Sequence, residues 1–161
     1  MATVSEAKPT RRTLHFTSIE QVIAEVQKLA DADSKGTLRC TGNWTFGQNL
    51  DHLATWVDYA YDGAPIKIPF FIRWAMKPMK NRMLNQPMKP GARIPWVPGG
   101  TLAIDVVSTP DGLAHFQKAF ARLTQEVPTQ PNPLLGPLTH AEWTSLHLRH
   151  AELHLSFLRP E

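Results

Sequence analysis

The chain has 161 residues, a net charge of +3, 42% hydrophobic residues and a single cysteine, Cys40. That length suits one domain with its own core, and one cysteine excludes an internal disulfide, so a reducing, cytoplasmic setting is the expectation. No run approaches the roughly 18 consecutive apolar residues of a spanning helix, so no stable membrane insertion is expected.

Arg11 and Arg12 lack the continuous apolar stretch of an export signal, and residues 1–12 read as a disordered tail before a single domain over 13–159. The first helix is expected from Ser18 to Ala32. Ile19, Val22, Ile23, Val26, Leu29 and Ala30 recur there at helical spacing, Thr17 and Glu20 have capping-box spacing, and Gly36 supplies a stop. The second runs from Thr45 to about Tyr61, with Thr45 and Gln48 as a further box and Gly63 and Pro65 at its end.

Residues 63–104 form an insert with seven of the fourteen prolines, seven basic residues and no aspartate or glutamate. Its middle, Phe70 to Asn85, has a helical stripe of Ile72, Met76, Met79 and Met83, divided at Pro78. The methionine stripe is expected to pack on the bundle or on a second subunit, and Thr101 to Val107 reads as extended. Thr109, Pro110 and Asp111 then open a third long helix that runs through Leu113, Phe116, Phe120, Leu123 and Val127. A loop rich in proline leads to the last helix, from Thr139 to about Leu158, with Thr139 and Glu142 as a third box. The class this predicts is all-α, a four-helix bundle with a basic, proline-rich insert between the second and third long helices.

The last helix carries His147, His150 and His154. With His150 at 0° on a helical wheel, His154 falls at about 40° and His147 at about 60°, with Trp143 and Phe157 on the same face. A solvated face would carry lysine and glutamate, so these imidazoles point into a cleft or the core. His52, on the second helix, shares a face with Gln48, Asn49, Trp56 and Tyr59, an expensive mixture to bury without a purpose. An i, i+4 histidine pair with a third imidazole from a facing helix is a metal-ligating pattern that leaves positions open for water or substrate. Gln48, Asn49, Tyr59 and His147 are candidates for partners of the ligands or contacts to substrate. A histidine cluster that holds no metal, in a ligand-binding or structural bundle, stands as the alternative.

His15, His115 and His140 read as surface or capping residues, Cys40 as a packing residue and Glu152 as solvent-facing. The aromatic and basic insert, with Phe70, Phe71, Trp74 and Trp96, raises a membrane surface or nucleic acid as partner, but the modest net charge and the lack of a nucleic-acid motif weigh against both. A small-molecule substrate is the partner expected.

Three segments, RRTLHFTSIEQVIAEV (11–26), GNWTFGQNLDHLATWVDYAYDG (42–63) and NPLLGPLTHAEWTSLHLRHAELHLSFL (132–158), resemble the DinB/YfiT-like superfamily of metal-binding four-helix bundles, in the branch catalogued as a domain of unknown function. The family-like motifs are Trp44, Gln48 to His52, and the His150 and His154 pair. The resemblance implies a bacterial protein in which His52, His150 and His154 bind a divalent metal, nickel or zinc. It also implies a metal-dependent transferase or isomerase that uses a low-molecular-weight thiol such as glutathione, and a homodimer as an assembly such bundles adopt. Metal-assisted hydrolysis is the lesser enzyme reading, for which Glu152 or Asp51 is the carboxylate available in sequence. Arg73 and Lys77 are then candidates to receive the carboxylates of the thiol. Where many relatives have a histidine just before the last ligand, this chain has Leu153.

Overall fold

A computed structural model describes residues 11–94 and 97–161, and the chain is mostly helical. Helix α1 (Ile19–Ser34) buries Ile19, Val22, Val26, Leu29 and Ala32. Its start differs from the expected box: Ser18 is the N-cap, and the Thr17 amide donates instead to the Gln21 side chain at 2.9 Å. Ile23, expected inside, is exposed. The end follows the glycine rule. Gly36 adopts a positive φ, its N–H reaches the Asp33 carbonyl, and the Thr37 N–H reaches the Ala32 carbonyl, the paired bonds that satisfy a helix terminus.

Strand β1 (Leu38–Cys40) follows, and Cys40, expected to pack, is exposed there. Partial desolvation and the Asp33 charge push its thiol pKa up, which leaves it a poor nucleophile. In helix α2 (Phe46–Asp62) the Thr45 hydroxyl accepts from the Gln48 amide at 3.2 Å, but the Gln48 side chain leaves the box and donates to the Ile104 carbonyl. Gly63, with φ of 86°, ends the helix.

The insert contains two short helices, α3 (Phe70–Met76) and α4 (Lys80–Asn85), divided by a tight turn at Pro78 as the proline predicts. Leu84 is buried, but Met79 is exposed rather than part of an inward stripe. Thr101 to Val107 runs without a strand partner among the described residues. Trp96 lies outside the described residues.

Helix α5 (Thr109–Gln125) starts one residue earlier than expected, with the Ser108 hydroxyl as its cap and Pro110 in the first turn. It packs against α2 where Gly47 and Gly112 let backbone approach backbone. A Cβ on Gly47 would stand 2.6 Å from the carbonyl oxygens of Val107 and Ser108, and one on Gly112 would overlap the Gly47 carbonyl. Helix α6 (His140–Leu155) has the complete box, with Thr139 N–H to Glu142 Oε2 at 2.9 Å and Glu142 N–H to Thr139 Oγ1 at 3.2 Å.

The last helix ends before Leu158, because Leu158 belongs to strand β2 (Leu158–Pro160), which pairs antiparallel with β1, Cys40 opposite Leu158. The fold is thus helical with one small ribbon. Residues of α1, α2, α4, α5 and α6 share one hydrophobic cluster, with Phe116, Phe120, Leu50 and Leu155 among its fully buried members. The tail expected over 1–12 does not reach Arg12, whose N–H donates to the Ser156 carbonyl and whose guanidinium meets Glu25 at 2.6 Å; residues 1–10 lie outside the described residues.

Candidate metal centre

His150 and His154 lie one turn apart on α6, and α2 presents His52 to them. One ring nitrogen from each lies within 4.8 Å of the other two. His52 Nε2 and His150 Nε2 are 3.1 Å apart. Behind His52, its Nδ1 lies 3.1 Å from the Leu102 carbonyl and 3.0 Å from that of Ala103. A carbonyl only accepts, so Nδ1 carries the proton and the lone pair of Nε2 faces the cluster. Gln48 fixes the same loop by donating to the Ile104 carbonyl at 2.8 Å, and Asn49 donates to the Thr45 carbonyl at 2.8 Å. Three consecutive carbonyls are thereby pinned against α2.

Tryptophans frame the imidazoles. Trp44 stacks on His154 with ring centres 5.2 Å apart and meets His52 edge-on, while Trp56 stands edge-on to His150. Tyr59 packs edge-on against Trp56 and does not line the cavity. His147 stacks on Trp143 and stands outside the group of three; its Nε2 is buried without a partner among the described residues.

These groups line a cavity of about 860 Å³, large enough for a small molecule. No aspartate or glutamate is among its described lining residues, and Arg93 is the one charged side chain there. Arg73 and Lys77 are exposed on α3 and the turn after it and do not reach the cavity. The sequence held no local signal for Arg93, because the fold of the insert is what brings it to the wall.

Electrostatics keep the three imidazoles neutral. Burial pushes the His52 pKa down to about 4, against smaller opposing effects of the Ala103 and Leu102 carbonyls. Burial and His52 push His154 down to about 3, and burial with the neighbouring histidines holds His150 well below its ordinary value. Burial alone pushes His147 down to about 3. Neutral imidazole is the form that ligates metals.

The other candidates fall elsewhere. Glu152, expected in solvent, is buried: its Oε1 accepts from the Phe16 amide at 2.6 Å and pairs with Arg149 at 2.8 Å, because the segment before α1 lies across that side of α6. Arg149 in turn donates to the Phe16 carbonyl. Asp51 points to the opposite side of α2, where His115 bridges it and Asp58 at 2.6 and 2.8 Å. His140 donates to the Leu123 carbonyl, and His15 is exposed beside Arg149.

Fold and site define a mostly helical protein whose three-histidine cluster, capable of holding a metal ion, opens on an apolar cavity. The chain belongs to the family described as "Protein of unknown function (DUF1569)", whose model matches residues 8–161. Comparison with the curated proteins and with the solved structures gave no match.

Proposed function

We propose that the chain is a DinB-like four-helix-bundle protein that binds one divalent cation, zinc or nickel, through His52, His150 and His154. The observation that carries this is the fixed tautomer of His52, whose Nδ1 is bonded to backbone carbonyls while its Nε2 lies with the other two ligand atoms. A partner for the second nitrogen of a ligating histidine is the usual support of a metal site. Two imidazoles on one tetrahedral zinc ion, at about 2.0–2.1 Å each, would stand about 3.3 Å apart. The separation of His52 and His150 nitrogens, 3.1 Å, is close to that.

A divalent cation held by three neutral histidines is a Lewis acid with open positions, able to stabilise a thiolate at neutral pH. Thiol-linked transfer or isomerisation is the activity we favour over hydrolysis. A hydrolase wants a carboxylate general base, and among the described residues none lines the cavity: Glu152 is tied to Arg149 and Phe16, and Asp51 to His115. A thiol is the stronger acid, and beside the cation it would give up its proton to solvent without a carboxylate base. In this scheme the Trp44 and Trp56 rings hold the histidines in place, and Arg93 offers a positive charge to the carboxylates of a thiol such as glutathione.

The 3.1 Å contact between His52 and His150 is also the length of an N–H···N hydrogen bond, and this favours the second reading, a metal-free histidine cluster in a ligand pocket. Metal content by mass spectrometry on protein without a histidine tag separates the two. We expect near-stoichiometric zinc or nickel in the wild type and its loss in the His150→Ala, His154→Ala double variant. Wild-type protein that is metal-free and takes up neither added ion would sink the metal reading.

A further inference from the structure

Helix α3 presents an anomaly that the cavity does not explain. With Phe70 at 0°, Trp74 falls at about 40° and Phe71 at about 100° on the wheel. Phe70 is 82% exposed, Phe71 59% and Trp74 72%. On the other side of the same helix, Ile72 and Met76 are half-buried. A helix apolar on both sides is ordinarily enclosed on both, and an exposed cluster of large apolar side chains marks a docking surface.

The charge around the cluster indicates what docks. Arg73 and Lys77 are exposed beside the three rings, at about 60° and 20° on the far side of Phe70. They belong to the insert, which has seven basic residues and no acidic one. Among the described residues only Lys80 of the seven has an acidic partner, Glu142 at 2.8 Å. The face is therefore aromatic at its centre and cationic at its rim.

We propose that α3 is a peripheral docking surface for an anionic phospholipid bilayer. Phenylalanine and tryptophan rings settle at the level of the headgroups, and lysine and arginine beside them meet lipid phosphates, so both parts of this face find complementary chemistry in one partner. A second copy of the chain is a poorer partner. Two-fold pairing across this face would bring the Arg73 and Lys77 of both copies together, with no acid in the insert to offset them. No described helix is long and apolar enough to cross a membrane, so the attachment rests on the surface. The insert also supplies Ile66, Ile68 and Met83 to the cavity wall, which puts the docking face and the cavity on one segment of chain.

Flotation of the full chain with vesicles tests this. Vesicles with equal parts phosphatidylglycerol and phosphatidylcholine should carry the protein upward, pure phosphatidylcholine vesicles should not, and 0.5 M salt should weaken the binding at least tenfold. The Phe70→Ser, Trp74→Ser variant should lose at least tenfold in binding with an unchanged melting temperature, since both side chains stand in solvent. Arg73→Gln with Lys77→Gln should lose several-fold. Failure of the wild type to bind the anionic vesicles would overturn the proposal, as would binding that survives the aromatic substitutions. So would a wild-type dimer that the same substitutions dissociate, or retention on a single-stranded oligonucleotide with no response to vesicles.

Discussion

Against α5, helix α2 comes so close at Gly47 and Gly112 that backbone meets backbone, whereas against α6 it leaves a cavity of about 860 Å³ between tryptophans and histidines. The neighbouring residues Asp51 and His52 divide between these two sides. His115, on the α5 side, lies between Asp51 and Asp58; burial pulls its pKa down, but hydrogen bonds to Asp58 and Asp51 and their charges outweigh that and raise it. On the α6 side His52 faces carbonyls and imidazoles, and burial prevails. The same residue type is thus favoured as a cation on one face of α2 and held as a neutral ligand candidate on the other. Depth decides at His52, and the two carboxylates decide at the shallower His115.

The comparison is broken most severely where the close approach is. Gly112→Ala places a methyl group against the Gly47 carbonyl, and backbone cannot give way as a side chain would. We expect a loss of about 3 kcal/mol in urea unfolding. A neutral effect would mean that α2 and α5 are not held at this distance.

A smaller effect sharpens the contrast in charge. The folded pKa of His147 is pushed down to about 3 from an ordinary 6.5, so the folded state binds fewer protons than the unfolded one and stability falls as pH drops through 6.5. The cost continues to grow until pH approaches about 3. His147→Leu removes it. Relative to wild type, the variant should gain on the order of 2 kcal/mol between about pH 6.5 and about pH 5. Parallel pH profiles for the two proteins would show that His147 charges freely.

The smallest effect has the opposite sign. His115 gains stability from a raised pKa, which is fully present below its ordinary value of 6.5 and is lost as pH rises through the folded value. Both Asp58 and His115 are partly exposed, which limits the bridge to about 1 kcal/mol. Asp58→Asn should cost that much in mildly acid solution and nothing in alkaline solution, by thermal melts across pH. A cost independent of pH would assign the bridge a neutral hydrogen bond.

Signals confined to a few residues of sequence were legible. Thr139 with Glu142, Thr45 before α2 and Gly36 after α1 satisfy local backbone groups, and Pro110 fits a first turn where its missing N–H costs nothing, so spacing alone locates them. The His150 and His154 pair is legible for the same reason. What the wheel cannot give is the neighbour. It placed Glu152 away from His150, correctly, but that side of α6 is covered by Phe16 rather than water. The bridge from His115 to Asp51 and Asp58, and the arrival of Arg93 at the cavity, depend on contacts between segments far apart in the chain. The ribbon of Leu38–Cys40 with Leu158–Pro160 escaped for that reason too: three-residue strands carry no period of their own.

Ala103 has a φ of 56°, a left-handed conformation that costs a residue with a side chain about 1 kcal/mol or more. Its carbonyl is one of the two that receive the proton of His52. The end of the insert therefore holds a strained shape while it aims an imidazole, and the two are thermodynamically linked. An ion that draws on the lone pair of His52 favours the loop conformation that presents these carbonyls, and by reciprocity anything that steadies the loop tightens the grip on the ion by the same factor. On the proposed metal reading, the shape of this loop and occupancy of the histidine cluster would be two readings of one equilibrium, measurable as slower amide exchange over residues 101–105 when zinc is added.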